Sequence, residues 1–262
     1  MVHVDWELRE AGPLEAEHTV LLLPGGMCGA GSYSELMAEP ALATTRLVAA
    51  TLPGHAGAPP PDDYSIENYA RLTAELATKV GADVVVGYSM GGSVALEMVA
   101  SGSFTGPAVL LGISLSAKDE PAFFRAIVKL GDVLGGVPSA VLAKGAASMV
   151  KRIPVSAERQ DELREDFRKN VPQHTRRGLR EYVRWLHRHD HPAERLCRAG
   201  VPTWIVHAEK GDGGLTDDER RTLEACPHAH IVTIPGSVFF LPNEVPGPIA
   251  DVIVEALGIA EE

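Results

Sequence analysis

Three observations predict an α/β chain built on a mostly parallel, doubly wound sheet with an inserted helical segment. Short, continuous apolar runs recur along the 262 residues, with helical patterns between most of them. One such run leads straight into Gly87-Tyr88-Ser89-Met90-Gly91, a strand, sharp turn and small-residue helix. Residues 117 to 196 carry no convincing strand pattern. A chain of this length suits one large domain with a core of ordinary size.

The elements follow in order. Val2, Val4, Trp6 and Leu8 alternate with polar residues, the pattern of an antiparallel edge strand. Thr19 to Leu23 is apolar without alternation and ends in Pro24-Gly25-Gly26, which fits a strand buried on both faces. Similar runs lie at Leu47 to Thr51, Asp83 to Val86, Ala108 to Leu111, Thr203 to Val206 and His230 to Ile234. Ser65 is placed to cap a helix whose Ile66, Tyr69, Leu72, Leu76 and Val80 share a face. A last helix follows Pro248, with Ile249, Val252, Ile253 and Leu257 inward. Strands alternating with helices give a doubly wound sheet. The strandless stretch divides into an apolar part, Phe123 to Val150, and a charged amphipathic part, Glu158 to Asp190, broken at Pro172. The expected organisation is a core of residues 1–116 and 197–262 with a helical cap over 117–196.

Bulk properties narrow the function classes. The net charge is −11, which disfavours nucleic acid and anionic membrane as partners. Hydrophobic content of 45% and charged content of 23% are those of an ordinary globular protein. No apolar stretch reaches membrane-spanning length. Cys28, Cys197 and Cys226 are too few and odd in number for a disulfide framework, so a reducing compartment is expected. The first residues lack a basic start and an apolar run, so no signal peptide is read there, and the location expected is cytoplasmic. No His, Cys or carboxylate group has metal-ligand spacing, and no cofactor is implied. The expected partner is a small-molecule substrate.

The turn at Ser89 has the pattern of a nucleophile elbow. Gly87 and Gly91 leave room for a strained serine, exposed at a helix N-terminus where backbone N–H groups favour developing negative charge. With Leu21-Leu22-Leu23-Pro24-Gly25-Gly26-Met27, Leu52-Pro53-Gly54-His55-Ala56-Gly57, Val201 to Glu209 and Ile234-Pro235-Gly236-Ser237, the chain resembles the α/β-hydrolase superfamily over nearly its full length. That resemblance implies an α/β-hydrolase fold of about eight strands. It also implies a cap over the active site, Ser89 as nucleophile and an acid near Asp212. The oxyanion hole would be formed by the N–H of Met90 with that of Gly26 or Met27.

Three departures accompany the resemblance. The family usually has Gly-His-Phe where this chain has Val238-Phe239-Phe240, and no His follows His230. The family's acid position holds Gly211, with Asp212 one residue later. Pro24 stands where the oxyanion loop usually has His. Losing the His of a serine triad costs on the order of a million-fold in turnover. The oxyanion hole and binding alone leave roughly a thousand- to ten-thousand-fold over water. Ordinary ester hydrolysis therefore needs a substitute base. Phe239 would otherwise be a pocket wall.

His55 and His207 follow predicted strands at the ligand-binding end of the sheet. Each is open to a structural reading and to a reading as that base. His18, His174, His187, His189 and His191 read as surface or cap residues. Glu209 and Asp217 are weaker acids than Asp212, which itself also reads as a loop residue. Cys28 reads as a small buried residue. Arg176, Arg177, Arg180, Arg184 and Arg188 form either a solvated helix face or a rim for an acidic substrate or carrier. The function expected is an enzyme acting on a small, largely apolar ester or carbonyl compound with a degenerate triad. Lyase, cyclase or isomerase-like chemistry then fits. The alternatives are a serine hydrolase with a relocated base and a silent small-molecule binder.

Overall fold

The computed structural model describes residues 4–116, 141, 144, 145, 147–189, 191–210 and 214–258. Among these, seven strands form one sheet: β1 (Leu8–Ala11), β2 (Thr19–Leu23), β3 (Arg46–Ala50), β4 (Val84–Tyr88), β5 (Ala108–Leu111), β6 (Thr203–Lys210) and β7 (Ala229–Ser237). Their order is β1-β3-β2-β4-β5-β6-β7. Only β1 is antiparallel, against β3. An edge strand is therefore present, but it starts at Leu8 rather than running from Val2 to Leu8. Seven strands are described where about eight were expected, and residues 1–3 lie outside the described residues.

The apolar runs form strands because both faces of the sheet are covered. Leu21 and Leu23 of β2 pack into one cluster, Val20 and Leu22 into another, as the two-residue strand period requires. Helices α1 (Ser34–Met37), α2 (Ile66–Val80) and α3 (Met90–Ala100) divide between those faces. Ser65 caps α2, its Oγ accepting the Asn68 N–H at 3.2 Å, and Gly81 closes it at φ +69°. Ile66, Tyr69, Leu72 and Leu76 are buried, as the helical spacing predicts.

Between β5 and β6, α4 (Ala157–Lys169), α5 (Pro172–Arg188) and α6 (Pro192–Ala199) are described. The break at Pro172 is real: α4 ends at Lys169 and Pro172 opens α5. Most of the apolar stretch from Phe123 to Val150 lies outside the described residues. Tyr182, Trp185 and Leu186 of α5 join the main core cluster with residues of α2 and α3. The expected limit of the insertion at residue 196 falls within α6, which packs on α3 and on α7 (Asp217–Glu224). After β7 come α8 (Leu241–Glu244) and α9 (Pro246–Leu257), the latter burying Ile249, Val252 and Ile253. No helix among the described residues is long and apolar enough to cross a membrane.

Candidate active site

The strand order places two loops together. β2 pairs with β3 on one side and β4 on the other, so the chain reverses its direction of winding between β2 and β4. Ligands bind at such a switch point, beyond the carboxyl ends of the strands. Leu23 lies opposite Gly87, which sets the turn after β2 beside the turn after β4. A Cβ added at Gly25 would stand 3.4 Å from the Cβ of Ser89.

Ser89 sits at φ 50°, ψ −118°, between β4 and α3. This is unfavourable for a residue with a Cβ and persists only where the surroundings fix it. Backbone hydrogen bonds fix it. The Ser89 N–H donates to the Leu111 carbonyl at 2.8 Å, and its own carbonyl accepts from Ser93 at 3.1 Å. Helix α3 follows immediately and presses against β2 and β4. A Cβ on Gly91 would come within 2.2 Å of the Leu23 carbonyl oxygen, and one on Gly87 within 2.3 Å of that of Gly91. Both glycines are required by close backbone approach. Ser89 is half-buried, and its Oγ has no hydrogen-bond partner among the described residues.

The loop after β2 closes as a turn, the Cys28 N–H donating to the Gly25 carbonyl at 3.1 Å. Met27, third in that turn, has φ 70°, the left-handed geometry a type II turn demands. Glycine usually supplies it; here side chains hold Met27 in place. The Met27 N–H donates to Nδ1 of His55 at 2.9 Å. The Met27 carbonyl accepts from Nδ2 of Asn170 at 2.8 Å. Met27 therefore has no N–H to offer a ligand in this arrangement. The N–H groups of Gly26 and Met90 remain without an acceptor among the described residues.

His55 is buried, and burial, with the charge of His174 second, lowers its pKa to about 4. Its Nδ1 accepts from Met27, and its Nε2 lies 3.5 Å from the Tyr69 hydroxyl. That hydroxyl donates to the Pro53 carbonyl at 2.7 Å. His55 is thus a neutral brace of the loop. His207 is buried within β6.

The strand after which a base was expected ends beside the elbow. Phe239 is 41% exposed, and its ring stands edge-on to Phe240 at 5.0 Å. Its N–H donates to Glu244 at 3.0 Å. Phe240 is the ring that packs inward, clustered with Met27, Cys28, Leu163 and Phe167. Glu209 accepts the Gly236 N–H at 3.0 Å, and Asp217 opens α7. Asp212 lies outside the described residues. Cys28 is buried, and burial, with Asp166 adding, pushes its thiol up to about 12, so it packs rather than reacts.

Sequence reasoning missed Asn170 and Asp166. They stand four residues apart at the end of α4, hence on one face. Asp166 accepts the Gly29 N–H at 3.3 Å. Burial raises its pKa, opposed by Lys169 and by the Gly29 N–H. Arg159, farther up α4, binds Glu35 at 2.7 Å and also donates to the Gly31 carbonyl. The one legible signal was the helix break at Pro172, two residues past Asn170. The arginine-rich face of α5 is largely neutralised: Arg184 pairs with Glu181 at 2.6 Å and Arg188 with Glu67 at 2.7 Å. An open charged cleft of about 860 Å³ between α4 and the residues Glu7, Arg9 and Gly31 is lined also by Arg159 and Glu162, not by Ser89, Gly26 or Met90. Among the described residues no group of three His, Cys, Asp or Glu side chains stands ready for a metal.

A parallel sheet with a strained serine at its switch point defines an α/β-hydrolase-type protein. The chain belongs to the alpha/beta hydrolase family, whose model matches residues 20–252. No curated protein matches it in sequence. Several solved structures share the fold. A thermophilic esterase from Thermogutta terrifontis superposes with TM-score 0.76 at 18% identity, covering 97% of this chain and 93% of that one. A hydrolase from Oleispira antarctica gives TM-score 0.74 at 17% identity, with 97% and 94% covered. MenH from S. aureus gives 0.71 at 18% identity, with 98% of each chain covered. At such identities the likeness is one of fold.

Proposed function

We propose that the protein is an enzyme of this family acting on a small, largely apolar ester or carbonyl substrate. Ser89 and the N–H groups of Gly26 and Met90 would carry the chemistry. The observation that carries this reading is the pairing of a strained, half-buried Ser89 with two N–H donors that have no acceptor among the described residues. Preorganised donors of this kind stabilise an oxyanion or enolate, and removing one costs about a hundred- to a thousand-fold. The apolar surroundings of the loop favour an apolar substrate, Met27 clustering with Cys28, Val150, Leu163, Phe167 and Phe240. The solved esterase and hydrolase of similar fold agree with acyl chemistry.

The triad is read as degenerate. Phe239 occupies the place after β7, and His55 is engaged as an acceptor and held neutral. Polarising a carbonyl needs no activated serine, so lyase, cyclase or isomerase-like turnover fits the site as well as hydrolysis does.

Labelling with a fluorophosphonate probe, read by intact mass beside Ser89→Ala, tests this reading. Slow labelling, absent from the variant, is the result expected. Rapid labelling lost in the variant would reveal a base and make an ordinary serine hydrolase the better reading. No labelling, and no turnover of ester or thioester panels, would leave a non-catalytic binder.

A further inference from the structure

We infer that Asn170 is a positioning residue through which helix α4 sets the oxyanion loop. The inference deepens the proposed reading of Gly26 and Met90 as the oxyanion donors.

Among the described residues, three that are not glycine have positive φ: Met27 at 70°, Ala56 at 46° and Ser89 at 50°. One side chain binds two of them. Nδ2 of Asn170 donates to the Met27 carbonyl at 2.8 Å, and Oδ1 accepts the Ala56 N–H at 3.0 Å. The same Nδ2 donates to the Asp166 carbonyl at 2.8 Å and so caps the end of α4. The orientation of this amide is unambiguous, because Ala56 offers a donor and the other partners offer acceptors. Asn170 is buried. A buried polar side chain with every group satisfied specifies one arrangement. Aspartate lacks the donor for Met27. Leucine would leave the Ala56 N–H and the Met27 carbonyl without partners.

The loop has an alternative to suppress. An L-residue at the third position of a turn prefers negative φ, as in a type I turn. Adopting it would turn over the peptide between Gly26 and Met27. His55 opposes this from the N–H of Met27, and Asn170 from its carbonyl. Both peptides flanking Met27 are therefore pinned, which fixes the loop immediately after the Gly26 N–H. Asp166 pins Gly29 one step farther on. Because Asn170 and Asp166 belong to the end of α4, displacement of that helix releases the loop. Docked α4 and a formed oxyanion hole become one state.

The experiment compares wild type, Asn170→Ala and Asn170→Asp, each checked for an intact thermal transition. Amide exchange is read at Met27 and Ala56, with Val85 and Val109 as sheet references. Turnover of p-nitrophenyl acetate is split into kcat and KM. Exchange at Met27 should rise by about tenfold or more in both variants while the references hold. At Ala56 it should rise in Asn170→Ala alone, since aspartate keeps the acceptor. Where the wild type turns over, kcat should fall about ten- to a hundred-fold with KM within about threefold. Unchanged protection at Met27 would overturn the inference, as would kcat unchanged in folded variants. A wild type that neither hydrolyses nor labels would sink the proposed function instead, and exchange at Met27 would still decide the role of Asn170.

Discussion

The hydroxyl of Tyr88 donates to the carbonyl of Phe239 at 2.6 Å. The residue before the elbow serine thus holds the turn where the family's base would stand, across 151 positions of sequence. The backbone of that turn is docked against the elbow, and the side chain it carries is a half-exposed phenyl ring.

Replacing Phe239 by His restores an imidazole on a docked backbone. Turnover of p-nitrophenyl acetate should rise at least tenfold, since a positioned general base contributes about a hundred- to ten-thousand-fold. Stability should change by less than about 0.5 kcal/mol, because the ring is substantially exposed. Steady-state kinetics and a melting curve check both. An unchanged rate would mean that an imidazole at this place does not reach Ser89.

Gly91→Ala should destabilise the fold by about 3 kcal/mol or more, because its Cβ would stand 2.2 Å from the Leu23 oxygen and 2.6 Å from that of Pro24. Gly81→Ala is the contrast. Nothing lies within 4 Å of its added Cβ, and only the φ of +69° opposes it. That costs roughly 1 kcal/mol. Urea unfolding of the two variants separates clash from conformation.

Glu97 on α3 is buried, accepting from Arg195 at 2.8 and 2.9 Å and from Trp185 at 2.9 Å. Burial raises its pKa, but the hydrogen bonds from Arg195 and Trp185, with the charge of Arg195, outweigh this and leave it lowered. A lowered carboxylate contributes stability above its ordinary value of 4.5, lost as pH falls through the folded value. Glu97→Ala should cost about 3–5 kcal/mol near neutrality. The gap to wild type should narrow in acid, and unfolding at a series of pH values reads it.

His55 gives the second acid-sensitive contribution. Its pKa falls from 6.5 unfolded to about 4 folded, because burial disfavours the imidazolium. The unfolded chain then binds the proton first, so stability falls as pH drops from 6.5 towards 4, by roughly 3 kcal/mol in full. Protonation at Nδ1 also removes the acceptor for Met27. The protection factor of the Met27 amide, taken against its intrinsic exchange rate, should therefore fall as pH approaches about 4. His55→Gln should flatten that part of the stability profile.

Several features were legible before the structure. Thr19–Leu23 and Ala108–Leu111 keep the expected limits, because a strand covered on both faces must be apolar throughout. The helix capped by Ser65 and the turn at Ser89 were likewise readable, since caps and elbows are written in adjacent residues. The choice between Gly26 and Met27 as donor was not. It depends on His55, 28 residues away. Asn170 reaches Met27 across 143 residues, and no local period marks such a contact.

The sequence by itself determined the family, the strained serine and the absence of a histidine after His230. Each rests on spacing within a few residues or on composition. Tertiary structure alone decided which N–H groups are unengaged, that His55 braces a turn and that Glu97 is paired in the interior. Those outcomes follow from burial and from partners brought together by the strand order. A polar group's role is fixed by what remains to bond it once water is gone.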